Sequence, residues 1–340
     1  MIKITNLSRR HFLQLTAAGL LSFRPKQNAA KILTVLGRIP IREMGTTLVH
    51  EHFLVDFIGA NAIQESRWNK DDVVQKVLPY LQALPPFGVK TVFDCTPAFL
   101  GRDVKLLVQL AKQSGLNIVT NTGYYGAVQN KYLPTWAHTE TAEQLANRWK
   151  QEFEQGIDGT TVKPGFIKIS VDGPHLSPLH QKLVRAAALT HLQTGLTICS
   201  HTGSAIPAFE QLDILQKMKV SPRAFVWTHA QVEKDISLHS KAAEKGAWIS
   251  LDGIGWGEVE WYAKTIAQLK KEGWLKNILL SHDAGWYKPG ETNGGDFKGY
   301  TNLFTTLLPL LKQQGFTNRH IHQLLVSNPA QAFGIGIRKI

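Results

Sequence analysis

Thr46-Thr47-Leu48-Val49-His50-Glu51-His52 is an apolar run that closes on two imidazoles two positions apart. Successive side chains of a β-strand alternate between its faces, so His50 and His52 point the same way and Glu51 points the other. Two neutral imidazoles on one strand face are half of a transition-metal site. A pair of partly buried structural histidines has the same local pattern. The rest of the chain separates the two readings, because ligand-type residues recur at the ends of similar runs.

Working outward, the runs that read as strands are Thr46–His52, Thr91–Thr96, Asn117–Thr122, Phe166–Ser170, Leu196–His201, Phe225–His229, Trp248–Asp252 and Asn277–Asp283. Between them lie segments of helical spacing, among them Asp71–Ala83, Asp103–Gln113, Leu179–Gln193 and Ala205–Lys217, several closed by glycine. Eight β-then-α units predict an α/β fold of the TIM (β/α)8 barrel type, in one domain over 31–340. A doubly wound open sheet competes, but no Gly-rich phosphate fingerprint follows the first strand.

Composition bounds the rest. A chain of 340 residues, 43% hydrophobic, can bury a large core. Cys95 and Cys199 sit far apart in apolar runs and support neither a disulfide framework nor a cysteine zinc site. The net charge is +12, of which the +7 beyond residue 30 is scattered and forms no nucleic-acid stripe. Residues 1–30 hold Lys3, Arg9, Arg10, Arg24 and Lys26 and no acid. Ser8-Arg9-Arg10-His11-Phe12-Leu13 resembles a twin-arginine export motif, followed by an uncharged, mostly apolar segment to Phe23. The expectation is export by that route to the periplasm or beyond, with a membrane anchor if the segment is not cleaved.

A barrel carries its chemistry at the C-terminal ends of its strands. His50 and His52 end strand one, Lys168 lies near the end of strand four, and His201, His229 and Asp283 end strands five, six and eight. Buried imidazoles and charges without partners cost several kcal/mol, roughly, so six of them at one end call for a shared partner, and coordination to metal supplies it. Lys168 is the odd member, since an ammonium repels cations.

The set Val49-His50-Glu51-His52, Gly165-Phe166-Ile167-Lys168, Ser200-His201-Thr202, Thr228-His229 and Ser281-His282-Asp283 resembles the phosphotriesterase family of the amidohydrolase superfamily. Gly101-Arg102-Asp103-Val104, Thr122-Gly123-Tyr124-Tyr125 and Ser327-Asn328-Pro329-Ala330 extend the likeness across the chain. The resemblance implies two divalent ions, most often zinc. His50, His52 and Asp283 would hold the more buried ion, and His201 and His229 the more exposed one. Lys168, carboxylated on its side-chain nitrogen, would bridge them together with a hydroxide. Two ions about 3.5 to 4 Å apart lower the pKa of water, and the bridging hydroxide would attack an ester, a lactone or a phosphoester while Asp283 takes the proton. The resemblance also makes a homodimer an expectation.

Around this set, Tyr125 after strand three is a candidate contact to the bridging group or substrate. Trp256 and Trp286, in the segments after strands seven and eight, are candidate substrate contacts in an aromatic pocket mouth. Cys199 shares the parity of His201 and reads as a packing thiol below it. His282 has the opposite parity and reads as structural, and Asp103 reads as opening a helix. His175 and His180 read as loop histidines. The best-studied organophosphate hydrolases of the family carry an Asp and a His where this chain has Val232 and Gly253, so their proton relay is not carried over. The competing function is a non-catalytic barrel that binds an apolar ligand through its aromatic rim.

Overall fold

The computed structural model describes residues 30–340. The twin-arginine segment lies outside the described residues. Among the described residues, no helix is long and apolar enough to cross a membrane.

A short antiparallel hairpin, β1 (Lys31–Thr34) and β2 (Gly37–Pro40), precedes the first long strand, β3 (Thr46–Leu54). Then come β4 (Val89–Asp94), β5 (Asn117–Val119), β6 (Asn121–Thr122), β7 (Phe166–Ser170), β8 (Ile198–His201), β9 (Phe225–Thr228), β10 (Trp248–Leu251), β11 (Ile278–Leu280) and β12 (Gly285–Tyr287). All ladders from β3 onward are parallel, in a four-stranded sheet β12-β3-β4-β5 and a six-stranded sheet β11-β10-β9-β8-β7-β6. The sheets meet where Thr120 separates β5 from β6. They meet again across β11 and β3, where Asp283 N–H donates to His50 O at 3.0 Å. An α/β fold with parallel sheets joined at both margins is consistent with a TIM-type barrel.

Helices fill the connections, and their starts follow from local chemistry. Asn69 caps Lys70–Gln82, Asp103 caps Val104–Ser114, and Ser177 with Pro178 opens Pro178–Thr194; each cap oxygen takes a first-turn N–H left without a helical partner. Val49, Phe93, Cys95, Phe166, Cys199, Val226 and Leu279 pack together on the inner face of the strands, closed below by Ile32 of the hairpin and by Phe333. A larger core lies between strands and helices.

Four features depart from the sequence reading. The hairpin and β12 were not expected, because runs of three or four residues carry too little periodicity. Strand three is broken at Thr120. The register of β3 against β4 slips by one residue between Leu48 and Glu51, so Val49 joins the inner core directly beneath His50. His229 lies beyond β9, and alternation from the inward Val226 would turn it outward; a left-handed backbone, φ 61°, returns it to the site.

Candidate metal centre

The six residues singled out in the sequence meet at the C-terminal ends of the strands. His50 Nε2 lies 3.1 Å from Lys168 Nζ and 3.5 Å from Asp283 Oδ1, and His52 Nε2 lies 3.1 Å from the same oxygen. The ring of His229 is centred 4.9 Å from that of His50 and 4.3 Å from that of His201. His50, His52 and Asp283 converge closely enough to hold one metal ion. Asp283, like His229, has positive φ (53°), a conformation uncommon for residues with a Cβ. The surrounding hydrogen bonds must hold both there.

Those bonds also fix which nitrogen of each imidazole is free. Asp252 lies between two rings: His50 Nδ1–H donates to Oδ2 at 3.0 Å and His229 Nδ1–H donates to Oδ1 at 2.8 Å. Gln231 Nε2 and Ser250 Oγ also donate to this carboxylate. Both rings then present a bare Nε2, the atom a metal takes. His52 reaches the same state differently: its Nδ1–H donates to Thr96 Oγ1 at 2.8 Å, and that hydroxyl donates to Asp94 Oδ1 at 3.2 Å. His50, Asp252 and His229 themselves lie close enough to hold an ion. Since both oxygens of Asp252 already accept imidazole protons, orienting the rings is the role its geometry fits.

Burial, then the charge of Lys168, lowers the pKa of His50 to about 3. Burial and then His229 lower His201 well below the ordinary range. Burial also opposes a charge on His229, but Asp252 outweighs it and raises that pKa. Burial alone would raise both carboxyls; His229 and His50 instead hold Asp252 well below its ordinary value, and His50 with His52 lowers Asp283. His50 and His201 are therefore held neutral beside ionised carboxylates, while Asp252 favours a proton on His229. Lys168, 1% exposed, makes its only side-chain hydrogen bond among the described residues to the neutral ring of His50. An ammonium there is a buried charge with no carboxylate partner among the described residues, an expensive arrangement. The residues fit a metal centre.

Tyr125 Oη lies 3.0 Å from Nδ1 of His201 and 3.3 Å from its Nε2, so the tyrosine hydroxyl does reach this group. Trp286 lines the small cavity above it, 70 Å³, with Val55, Phe57 and Leu100. Trp256 does not line it. That indole is 49% exposed, stacks outside Trp286 at 5.5 Å and donates to Asp283 O at 3.1 Å, so it braces the wall from behind. His180 is buried with its Nε2 3.0 Å from Gly126 O, and His175 is exposed and pairs with Glu210; neither reaches the cavity. His282 faces away, donating to Glu51 and accepting from Leu303 N–H.

Asp252 was missed as a site residue although its signal was present: it ends the strand-seven run with the parity of Trp248, whose side chain packs in the inner core. Val55 and Phe57 lie three and five residues after His52, yet nothing in their local sequence marks them as cavity walls.

The profile of the Phosphotriesterase family matches residues 30–333. A phosphotriesterase homology protein of Escherichia coli is 32% identical over 293 residues, 85% of this chain and 98% of that one. An aryldialkylphosphatase of Saccharolobus solfataricus is 28% identical over 306 residues, covering 87% and 96%. A phospho-furanose lactonase of Mycoplasmopsis synoviae is 29% identical over 323 residues, covering 87% and 89%. The match runs along nearly all the described residues and includes every strand that carries a histidine, Lys168 or Asp283 of the cluster, and so the chain belongs to the phosphotriesterase family.

Proposed function

We propose that this protein is a binuclear metal-dependent hydrolase acting on an uncharged ester, lactone or phosphotriester. The observation that carries the reading is Lys168, buried among His50, His52, His201, His229 and Asp283 with no carboxylate paired to it among the described residues. His50, His52 and Asp283 would hold one divalent ion, His201 and His229 the other, and carboxylated Lys168 both; zinc suits the imidazole-rich set. Bound there, the ions would supply Lewis acidity and lower the pKa of water toward neutrality. The chain's own groups do the rest. Asp252 and Thr96 keep the ligand rings in the tautomer with Nε2 bare. Asp283 Oδ1 sits where a proton released by attacking water can be taken. Tyr125 Oη is placed to touch a substrate oxygen beside His201.

Substrate class follows from the walls. Val55, Phe57, Leu100 and Trp286 are apolar, and among the described residues Lys168 is the sole Lys or Arg lining the cavity. A phosphorylated or carboxylated substrate would meet no free cation there. The cavity is far below the roughly 300 Å³ at which sites for organic ligands begin, so entry requires the exposed Phe57 and the Trp286 rim to move apart. Aryldialkylphosphatase and lactonase activities in relatives support the ester classes assayed first.

The test is metal analysis of the purified protein together with hydrolysis of neutral lactones, aryl esters and phosphotriesters. About two equivalents of metal are expected, with turnover abolished in Asp283→Asn and metal lost in Lys168→Ala. Metal-free protein that binds apolar ligands without turning them over would instead support the binding-protein reading. Residues 1–30 are proposed as a twin-arginine leader, tested by whether Arg9→Lys with Arg10→Lys abolishes export of the full chain.

A further inference from the structure

We propose a second binding site, for inorganic phosphate, on the face of the molecule opposite the metal centre. A cavity of about 310 Å³ opens there, where β9, β10 and β11 begin. Arg223 comes from just before β9, Trp248 starts β10, and Lys276 and Asn277 precede β11; Arg338 and Gln331 enter from the C-terminal segment. Three cations line the cavity and no carboxylate does.

The cations are placed rather than scattered. The Arg338 guanidinium donates to neutral groups, to Thr197 Oγ1 at 3.1 Å and to the carbonyls of Gln331, Ala332 and Gly334 at 3.1, 3.1 and 2.8 Å. Those bonds fix its position without cancelling its charge. Burial and then the nearby Arg223 lower the pKa of Arg338, which marks two guanidinium groups held together with no intervening anion. Trp248 Nε1 donates to Arg223 O at 3.1 Å and so pins the backbone that carries the second. Such clusters are what bidentate recognition of phosphate uses.

A second observation points to a ligand. Asn277 is 8% exposed, and its Nδ2 donates to Ala247 O at 3.1 Å, yet its Oδ1 is buried with no partner among the described residues. A buried acceptor left unpaired destabilises the fold until something donates to it. Phosphate can meet both demands, since its oxygens face the cations while its ionisable hydroxyl donates to Oδ1. Sulfate has the same charge and shape but no such hydroxyl near neutral pH. Residues 1–30 contain no acid, so that segment cannot provide the counter-charge.

The experiment is calorimetric titration of the full-length protein with inorganic phosphate at fixed ionic strength, repeated with sulfate and with the double variant Arg223→Gln, Lys276→Gln. Both side chains are exposed and distant from the metal centre, so the variant should fold and keep its metals. Saturable phosphate binding is expected, weakened about tenfold or more in the double variant, with sulfate binding clearly less tightly than phosphate. Phosphate held at the metal centre would be indifferent to these substitutions. Unchanged affinity in the variant overturns the proposal, as does the absence of saturable binding or sulfate bound as tightly as phosphate.

Discussion

Asp252 shows how much one side chain can organise. Its two oxygens accept from two imidazoles that both belong to the ligand set, so a single carboxylate sets two tautomers. Asp252→Asn keeps the volume but replaces one acceptor with an NH₂ donor. One ring would then face N–H against N–H and shift its proton to Nε2, the atom needed by the metal. Metal affinity should fall roughly 10- to 100-fold, the usual cost of losing a partner that orients a ligand. Competition against a chromophoric chelator measures this directly, and an unchanged dissociation constant would show that the rings orient themselves. Gly123 is the residue-scale counterpart in the backbone. Its φ is 116°, and an added Cβ would sit 2.2 Å from Lys168 O. Gly123→Ala should therefore cost about 2 kcal/mol or more, seen as a lowered denaturation midpoint, because both the backbone conformation and the close approach are lost.

At the scale of elements, the seam between strands one and eight has no regular ladder between β3 and β11, and Glu51 takes its place. Its Oε1 accepts from Ser281 Oγ at 2.8 Å, His282 N at 3.1 Å and His282 Nδ1 at 2.7 Å, and its Oε2 accepts from Ala284 N at 3.1 Å. These four donors bracket Asp283, so the carboxylate that closes the ring of strands also positions the aspartate beside His50. Glu51→Gln must turn an NH₂ toward one of the donors. It should destabilise the fold by about 1 to 3 kcal/mol, the price of an unsatisfied buried group. Metal binding should weaken along with it. A variant as stable as the parent, with the same metal affinity, would show that the seam is held by β12 alone.

Over the whole molecule, the buried histidines make the metal-free protein sensitive to acid. His50 in the folded state takes a proton only near pH 3, whereas its ordinary value is 6.5. Between those values unfolding takes up a proton, so stability falls as pH drops, by ~1.4 kcal/mol per pH unit for one such histidine. His201, His191 and His239 shift in the same direction, while His229 and Asp94, a carboxyl that burial raises to about 6, oppose them. The carboxyls of Asp252 and Asp283, held low, add their own acid lability only below 3.8. Urea denaturation of metal-free protein should therefore show a lower midpoint at pH 5 than at pH 7. Equal midpoints would mean that the imidazoles are already charged in the fold.

Most of the chain's order was legible in its residues. Strand periods, a helix start at Asp103, and the recurrence of His50, His52, Lys168, His201, His229 and Asp283 at run ends are local patterns, and a parallel α/β architecture follows from their alternation. The bulge under His50, the left-handed turn at His229 and the part played by Asp252 were decided by tertiary structure. Each depends on a partner distant in sequence: a neighbouring strand's register for the bulge, hydrogen bonds across strands six and seven for His229, and two rings 202 and 23 residues away for Asp252. The basic cavity is of the same kind, because Arg223, Lys276 and Arg338 are ordinary surface residues until the fold brings them around Asn277, whose Oδ1 has no partner among the described residues. Alternation along a strand fixes which way a side chain points, but only packing fixes what it meets there.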